Sequence, residues 1–130
     1  MPFIVVDTDA GPAEAELVRP RSASALLVLT HGAAGRADSA DLVAVRDAAV
    51  AGGTAVALLT QPFRVAGRRT PPAPAAQDEA WVQAVTGLRR HRGLARLPLV
   101  LGGRSNGARV ACRTADRLGA VGVVALAFPL

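Results

Sequence analysis

The chain has 130 residues, of which 51% are hydrophobic and 19% are charged. This composition fits a single globular domain over residues 1–130 and excludes a disordered chain, a collagen and a coiled coil. The formal net charge is +5 and every basic residue is arginine, but the arginines are not interleaved with aromatic side chains. The charge therefore indicates a solvated surface, and we expect no nucleic-acid partner.

The sequence shows no sign of a secreted or membrane protein. Cys112 is the only cysteine, which excludes a disulfide framework and a cysteine-based zinc site. The first residues lack the charged and apolar regions of a signal peptide, and no apolar run approaches the ~18 residues of a membrane span. We expect a cytoplasmic protein without membrane contact.

The predicted elements alternate between strand and helix after an initial strand pair. In chain order, strands are predicted at 3–6, 14–19, 25–30, 54–59, 97–101 and 121–128, and helices at 39–51, 78–90 and 105–118. The first two strands join through the Gly11-Pro12 turn, and Ser39 stands at the start of the first helix as a candidate cap. The later strands are continuous apolar runs, which is typical of strands buried on both faces. The order predicts an α/β fold with a parallel-rich sheet and helices on both faces.

Residues 60–77 form the one long segment for which we predict no regular structure. Its four prolines exclude a continuous helix or a central strand. The segment follows the carboxyl end of a strand, where loops of this length are often functional. Its arginines either favour an anionic substrate or pair with surface acids: Arg64, Arg68 and Arg69.

The strongest chemical signal is the motif G-R-S-N-G at 103–107, between a predicted strand and a predicted helix. A nucleophilic serine on a sharp strand-to-helix turn needs small residues two positions before and after it, because the two backbones nearly touch. Gly103 and Gly107 meet this demand around Ser105. The alternative is a glycine-rich turn whose serine caps the helix. A phosphate-binding loop would need Lys and Ser or Thr after the second glycine, and a dinucleotide site would need G-x-G-x-x-G. Neither pattern is present.

A second signal is L-T-H-G-A-A-G at 29–35, at the end of an earlier buried strand. In hydrolases with a nucleophile elbow, the corresponding loop gives one backbone N–H to the oxyanion hole, and the residue after the nucleophile gives the other. This predicts donors at Ala33, or Gly32, and at Asn106. His31 is either a general base or, as we favour, a structural histidine that holds the loop.

Together with A-L-L-T-Q-P-F-R-V-A-G-R-R-T-P-P-A-P at 57–74, these motifs give the chain a resemblance to the α/β-hydrolases. It resembles in particular the dienelactone-hydrolase-like branch that includes the domain of testis-expressed protein thirty and a subunit of the NSL histone-acetyltransferase complex. The resemblance implies the family's eight-stranded sheet, with the active site at the carboxyl ends of the strands. It also implies Ser105 as nucleophile, with Asn106 and Ala33 forming the oxyanion hole. Asn106 stands where relatives often have a bulkier residue such as Met.

The sequence lacks the other half of a catalytic triad. In this fold the chain order is Ser, then an acid, then His, but no histidine follows Ser105 and the only later acid is Asp116. Asp116 lies roughly 16 Å along the next helix at ~1.5 Å per residue, and His91 is expected at the opposite edge of the sheet. We therefore expect a fold truncated after the strand that follows the nucleophile helix. Three explanations stay open: a truncated product or fragment, a non-catalytic module, or a site completed by another chain.

The function predicted from these observations is a serine hydrolase that acts on a small ester, thioester or lactone through an acyl-enzyme on Ser105, with no metal or organic cofactor. The alternative is a catalytically inactive hydrolase-like protein-interaction module. The last predicted strand, from Val121 to Phe128, is uncharged and lacks the neighbour it has in the family fold. Its exposed edge predicts self-association.

Overall fold

A computed structural model of the chain describes residues 3–128. These residues form six strands: β1 (Phe3–Thr8), β2 (Gly11–Val18), β3 (Ala25–Thr30), β4 (Thr54–Thr60), β5 (Leu99–Arg104) and β6 (Gly122–Leu126). Four helices lie between them: α1 (Ala40–Ala51), α2 (Pro62–Val65), α3 (Pro74–Arg89) and α4 (Asn106–Leu118). No helix in this described part is both long and apolar enough to cross a membrane.

The strands form one mixed sheet in the order β1-β2-β4-β3-β5-β6. β1, β2 and β4 pair antiparallel, whereas β4, β3, β5 and β6 are parallel neighbours. The predicted α/β fold with a parallel-rich sheet is therefore confirmed. Because β3, β4, β5 and β6 run in the same direction, the loops after them, at 31–39, 61, 105 and 127–128, lie along one edge of the sheet.

Helices cover both faces of the sheet, as predicted. On one face, α3 and α4 pack on the strands, and Trp81, Val85 and Leu88 of α3 are fully buried there. On the other face, Leu42 of α1 is fully buried against side chains of β3 and β4. Ser39 stands at the N-terminal cap position of α1, but its hydroxyl donates to the Asp41 carboxylate at 2.6 Å and does not cap the helix backbone.

The structure corrects the prediction that residues 60–77 are irregular. Thr60 ends β4, α2 begins at Pro62, and α3 begins at Pro74, four residues before the predicted start. A proline at the first helical position loses no hydrogen bond, because that N–H has no partner within the helix. The prolines at 62 and 74 therefore start helices, and the irregular part shrinks to residues 66–73.

The other differences concern the ends of elements. The first hairpin turns at Asp9 and Ala10, so Gly11 and Pro12 belong to β2 and pair with β1. β5 extends through Gly102 and Gly103 to Arg104. Glycine weakens a strand by itself, but pairing with both β3 and β6 holds these residues in the sheet.

Candidate functional site

Ser105 lies on the turn that joins β5 to α4. Its backbone has φ 54° and ψ −111°, a conformation that side-chain-bearing residues adopt only under strain and often at functional sites. The Ser105 N–H donates to the carbonyl of Leu126 at 2.8 Å, and its carbonyl accepts from the N–H of Arg109 at 3.1 Å. The side chain makes no capping hydrogen bond to α4, so the turn does not have the geometry of a serine-capped helix.

Two glycines allow the turn to be this tight. A methyl group added to Gly103 would lie 2.6 Å from the carbonyl carbon of Gly107 and 2.8 Å from the carbonyl oxygen of Thr30. A methyl group added to Gly107 would lie 2.6 Å from the carbonyl oxygen of His31 and 2.7 Å from that of Thr30. These distances are shorter than van der Waals contact with backbone atoms. The start of α4 can approach β3 and β5 only because both positions lack a side chain.

The loop after β3 faces the serine. A methyl group added at Gly32 would lie 3.8 Å from the Ser105 Cβ, so Gly32 and Ser105 are immediate neighbours. No turn or loop hydrogen bond among residues 3–128 uses the N–H of Ala33. Asn106 is the first residue of α4, where the N–H has no acceptor within the helix. The two N–H groups predicted for an oxyanion hole thus belong to the two segments that meet at Ser105.

His31 is fully buried and uses both ring nitrogens within the fold. The backbone N–H of Gln61 donates to Nε2 at 3.0 Å, so the ring proton is on Nδ1, which donates to the Gly32 carbonyl at 2.7 Å. The ring also packs edge-on against Phe63, with centroids 5.7 Å apart. Burial lowers the pKa of His31 to about 4. With Nε2 already accepting a backbone hydrogen bond, this histidine has no free nitrogen to act as a base for Ser105.

The remaining candidates for a general base or triad acid are either distant from Ser105 or held in an ion pair. Asp116 is exposed near the carboxyl end of α4, eleven residues beyond Ser105. His91 is exposed after the end of α3, about 20 Å along that helix from its first turn at ~1.5 Å per residue. Asp41 lies closer, but it forms an ion pair with Arg104 at 2.9 Å. The pKa of Asp41 is lowered mainly by the hydrogen bond from the Ser39 hydroxyl, and further by the charge of Arg104.

Two buried glutamines that sequence reasoning missed lie beneath the site. Gln61 follows the end of β4 and Gln77 lies in the first turn of α3, and both are almost inaccessible to solvent. The side-chain nitrogen of Gln77 donates to the Asn106 side-chain oxygen at 2.6 Å and to that of Gln61 at 2.9 Å. The position of Gln61 at the carboxyl end of a parallel strand was the available sequence signal.

Arg64 is part of the scaffold of the facing loop. Its Nε donates to the Gly35 carbonyl at 3.0 Å and its Nη1 to the Arg68 carbonyl at 3.1 Å. It therefore binds backbone and does not pair with a surface acid. Arg68 and Arg69 are exposed. Within residues 3–128, no cluster of three or more His, Cys, Asp or Glu side chains is placed to hold a metal ion.

A serine on a strained turn at the carboxyl edge of a parallel sheet, facing a loop of small residues, is the arrangement of an α/β-hydrolase. Residues 23–130 match the family model described as an alpha/beta hydrolase domain, and the chain belongs to this family. No curated protein matches the chain in sequence. The narrower resemblance to the testis-expressed protein and the NSL-complex subunit stays a prediction.

Solved structures share the fold at low sequence identity. An α/β serine hydrolase homologue from Coxiella burnetii superposes with a TM-score of 0.84 at 14% identity, over 98% of this chain and 63% of its own. A dienelactone hydrolase from Anabaena variabilis superposes with a TM-score of 0.78 at 20% identity, over 95% of this chain and 61% of its own. A lidless α/β serine hydrolase from Xanthomonas campestris superposes with a TM-score of 0.82 at 16% identity, over 98% of this chain and 61% of its own. The chain thus spans somewhat over 60% of the length of these neighbours.

Proposed function

We propose that the chain carries the nucleophile and the oxyanion hole of a hydrolase for small esters, thioesters or lactones. The observation that carries the proposal is Ser105 in its strained backbone conformation at φ 54°, held there by Gly103 and Gly107. Strain of this kind persists only where the surrounding structure enforces it, and it is concentrated at functional sites. Membership of the α/β-hydrolase family supports the same chemistry.

In the proposed reaction, the Ser105 hydroxyl gives its proton to a base while its oxygen bonds to the substrate carbonyl carbon. The carbonyl oxygen becomes an oxyanion, which accepts hydrogen bonds from the N–H groups of Ala33 and Asn106. Collapse of this intermediate breaks the bond to the alcohol or thiol, which leaves with a proton. Water then hydrolyses the acyl-enzyme and regenerates the serine. Residues 3–128 do not supply the base.

The missing base suggests a direct test by chemical rescue. The purified chain is incubated with a fluorophosphonate probe, with and without added imidazole, and the labelled residue is identified by peptide mass spectrometry. We expect slow labelling at Ser105 that imidazole accelerates about 10-fold, part of the ~10²–10⁴ that a positioned general base contributes. Ser105→Ala should remove both the basal and the accelerated labelling.

Ser22 and Ser24 provide internal controls, because both residues are exposed and neither has a strained backbone with positive φ. Imidazole should not increase their labelling above that of free serine. If Ser105 reacts no faster than these two serines in the presence of imidazole, the nucleophile assignment is wrong. The inactive interaction module would then be the better interpretation of the fold.

A further inference from the structure

A chain of buried polar side chains runs beneath the candidate site from β3 to α4. The Thr30 hydroxyl donates to the Leu59 carbonyl at 2.7 Å and accepts from the Gln61 side-chain nitrogen at 3.3 Å. Gln61 then accepts from Gln77, which also donates to Asn106. Thr30, Gln61 and Gln77 are each at most 2% exposed. Such a network is costly to bury unless every member is satisfied.

The groups at the two ends of this chain fix the direction of every hydrogen bond in it. The Leu59 carbonyl can only accept, so the Thr30 hydroxyl donates its proton there and must accept from the Gln61 amide nitrogen. The side-chain oxygen of Gln61 therefore faces Gln77, and the side-chain nitrogen of Gln77 must donate to it. The Gln77 oxygen faces Arg113, whose guanidinium can only donate, at 3.4 Å. Each amide thus has one satisfied orientation.

The same glutamine pair connects the two segments that carry the proposed oxyanion donors. Gln61 donates its backbone N–H to His31, and His31 donates to the Gly32 carbonyl, which belongs to the same peptide group as the N–H of Ala33. At the other end, Gln77 holds the side chain of Asn106 at 2.6 Å. Gln61 therefore joins the two segments: its backbone N–H binds His31 in the loop after β3, and its side chain reaches the first residue of α4 through Gln77.

We propose that Gln61 and Gln77 are positioning residues that set the distance between the N–H groups of Ala33 and Asn106. The inference rests on the proposed function, in which those two N–H groups bind the same oxyanion. Electrostatic stabilisation of an oxyanion requires donors fixed in place before the reaction, and a small displacement weakens it. A buried amide with a single satisfied orientation supplies that rigidity.

The test compares Gln77→Met, which keeps the length of the side chain and removes its polar atoms, with Gln83→Met. Gln83 lies on the same helix but binds Asp9 at the β1–β2 turn. We expect Gln77→Met to shift the backbone amide NMR signals of both Asn106 and Ala33, and to lower the maximal imidazole-assisted labelling rate of Ser105 about 10-fold. The probe concentration for half-maximal rate should stay near that of the parent. Gln83→Met should change neither.

A second variant keeps the test decisive if Gln77→Met folds poorly. Asn106→Ala removes only a half-buried side chain at the surface end of the network. It should shift the side-chain amide signals of Gln77, which lose their partner, and slow labelling, while leaving the backbone signal of Ala33 in place. Thermal melts confirm that the rates are compared between equally folded proteins.

The two proposals fail in different ways. If Gln77→Met leaves the backbone amide signals of Asn106 and Ala33 unmoved, if Asn106→Ala is labelled as fast as the parent, or if labelling slows only in proportion to the unfolded fraction, the positioning role is wrong. If the parent chain is not labelled at Ser105 at all, the proposed function fails, whereas the amide signals still test whether Gln77 couples the two segments.

Discussion

At Ser105 the local backbone preference and the fold disagree, because φ is 54° at a residue that carries a side chain. A strained conformation of this kind costs about 1–3 kcal/mol for a residue with a side chain, whereas glycine adopts it freely and loses about 0.5–1 kcal/mol in chain entropy. We expect the free energy of unfolding, measured by urea titration, to be about 1 kcal/mol higher for Ser105→Gly than for Ser105→Ala. Equal stability of the two variants would mean that the turn is not strained at this position.

At Gly103 and Gly107, in contrast, we expect any side chain to destabilise the fold. Gly107→Ala places a methyl group against two carbonyl oxygens that cannot move without disturbing β3. Forced overpacking of this kind costs about 3 kcal/mol, and valine at either position should prevent folding. Gly32→Ala is the matched control, since its methyl group finds only ordinary contacts at 3.6 and 3.8 Å. Thermal melts in which Gly107→Ala matches Gly32→Ala would contradict the close crossing.

His31 makes stability depend on pH in a defined direction. Its pKa falls from 6.5 to about 4 on folding, so between these values the unfolded chain binds the extra proton. The contribution of His31 to the free energy of unfolding is therefore fully present above pH 6.5 and is lost as the pH falls towards 4. The loss is at most about 1.4 kcal/mol per pH unit. His31→Gln should flatten this part of the profile of unfolding free energy. A steep slope that persists in His31→Gln would exclude this histidine as its source.

At the scale of elements, the loop that carries Ala33 is held by α2. Arg64 of α2 binds the Gly35 carbonyl directly, so Arg64→Met should release that end of the loop while keeping the apolar stem of the side chain. We expect a loss of about 1 kcal/mol in stability and faster hydrogen exchange of amides 32–36. Arg68→Met, which changes an exposed side chain, is the control. Unchanged exchange in Arg64→Met would show that the loop holds its shape without α2.

The sequence was most informative where one short segment decides the structure. Continuous apolar runs located β3 and β4, and small residues on both sides of Ser105 indicated a tight strand-to-helix turn. Helix starts were less predictable, because a proline such as Pro74 either begins a helix or breaks one, and packing of the following turns decides which. The position of Gln61 after a strand was visible in the sequence, but no local pattern indicates that it pairs with Gln77. The two glutamines are sixteen residues apart in sequence and meet only after α3 packs on the sheet.

At the scale of the whole molecule, the described part of the sheet has two edges of unequal character. β1 forms one edge and exposes Phe3 and Val5, at 62% and 58%, but it also carries Asp7. β6 forms the other and contains no charged residue, with Val121 72% exposed beside it. Charged side chains on an edge strand discourage pairing with other chains, and a flat uncharged edge invites it. We therefore expect the β6 edge to pair with a strand of another chain more readily than the β1 edge.

This difference predicts that the 130-residue chain self-associates through β6. Its outer backbone N–H and C=O groups face away from β5, and Val123 adds a partly exposed apolar side chain, so a second β6 can pair with it edge to edge. We expect sedimentation velocity to show dimers or larger species that grow with concentration. Val123→Lys should shift the population towards monomer, because pairing would bury the lysine charge. Val5→Lys on β1, an equally large change at the other edge, should leave the association intact. A parent chain that stays monomeric at all concentrations, or a Val5→Lys variant that dissociates as fully as Val123→Lys, would rule out β6 as the contact.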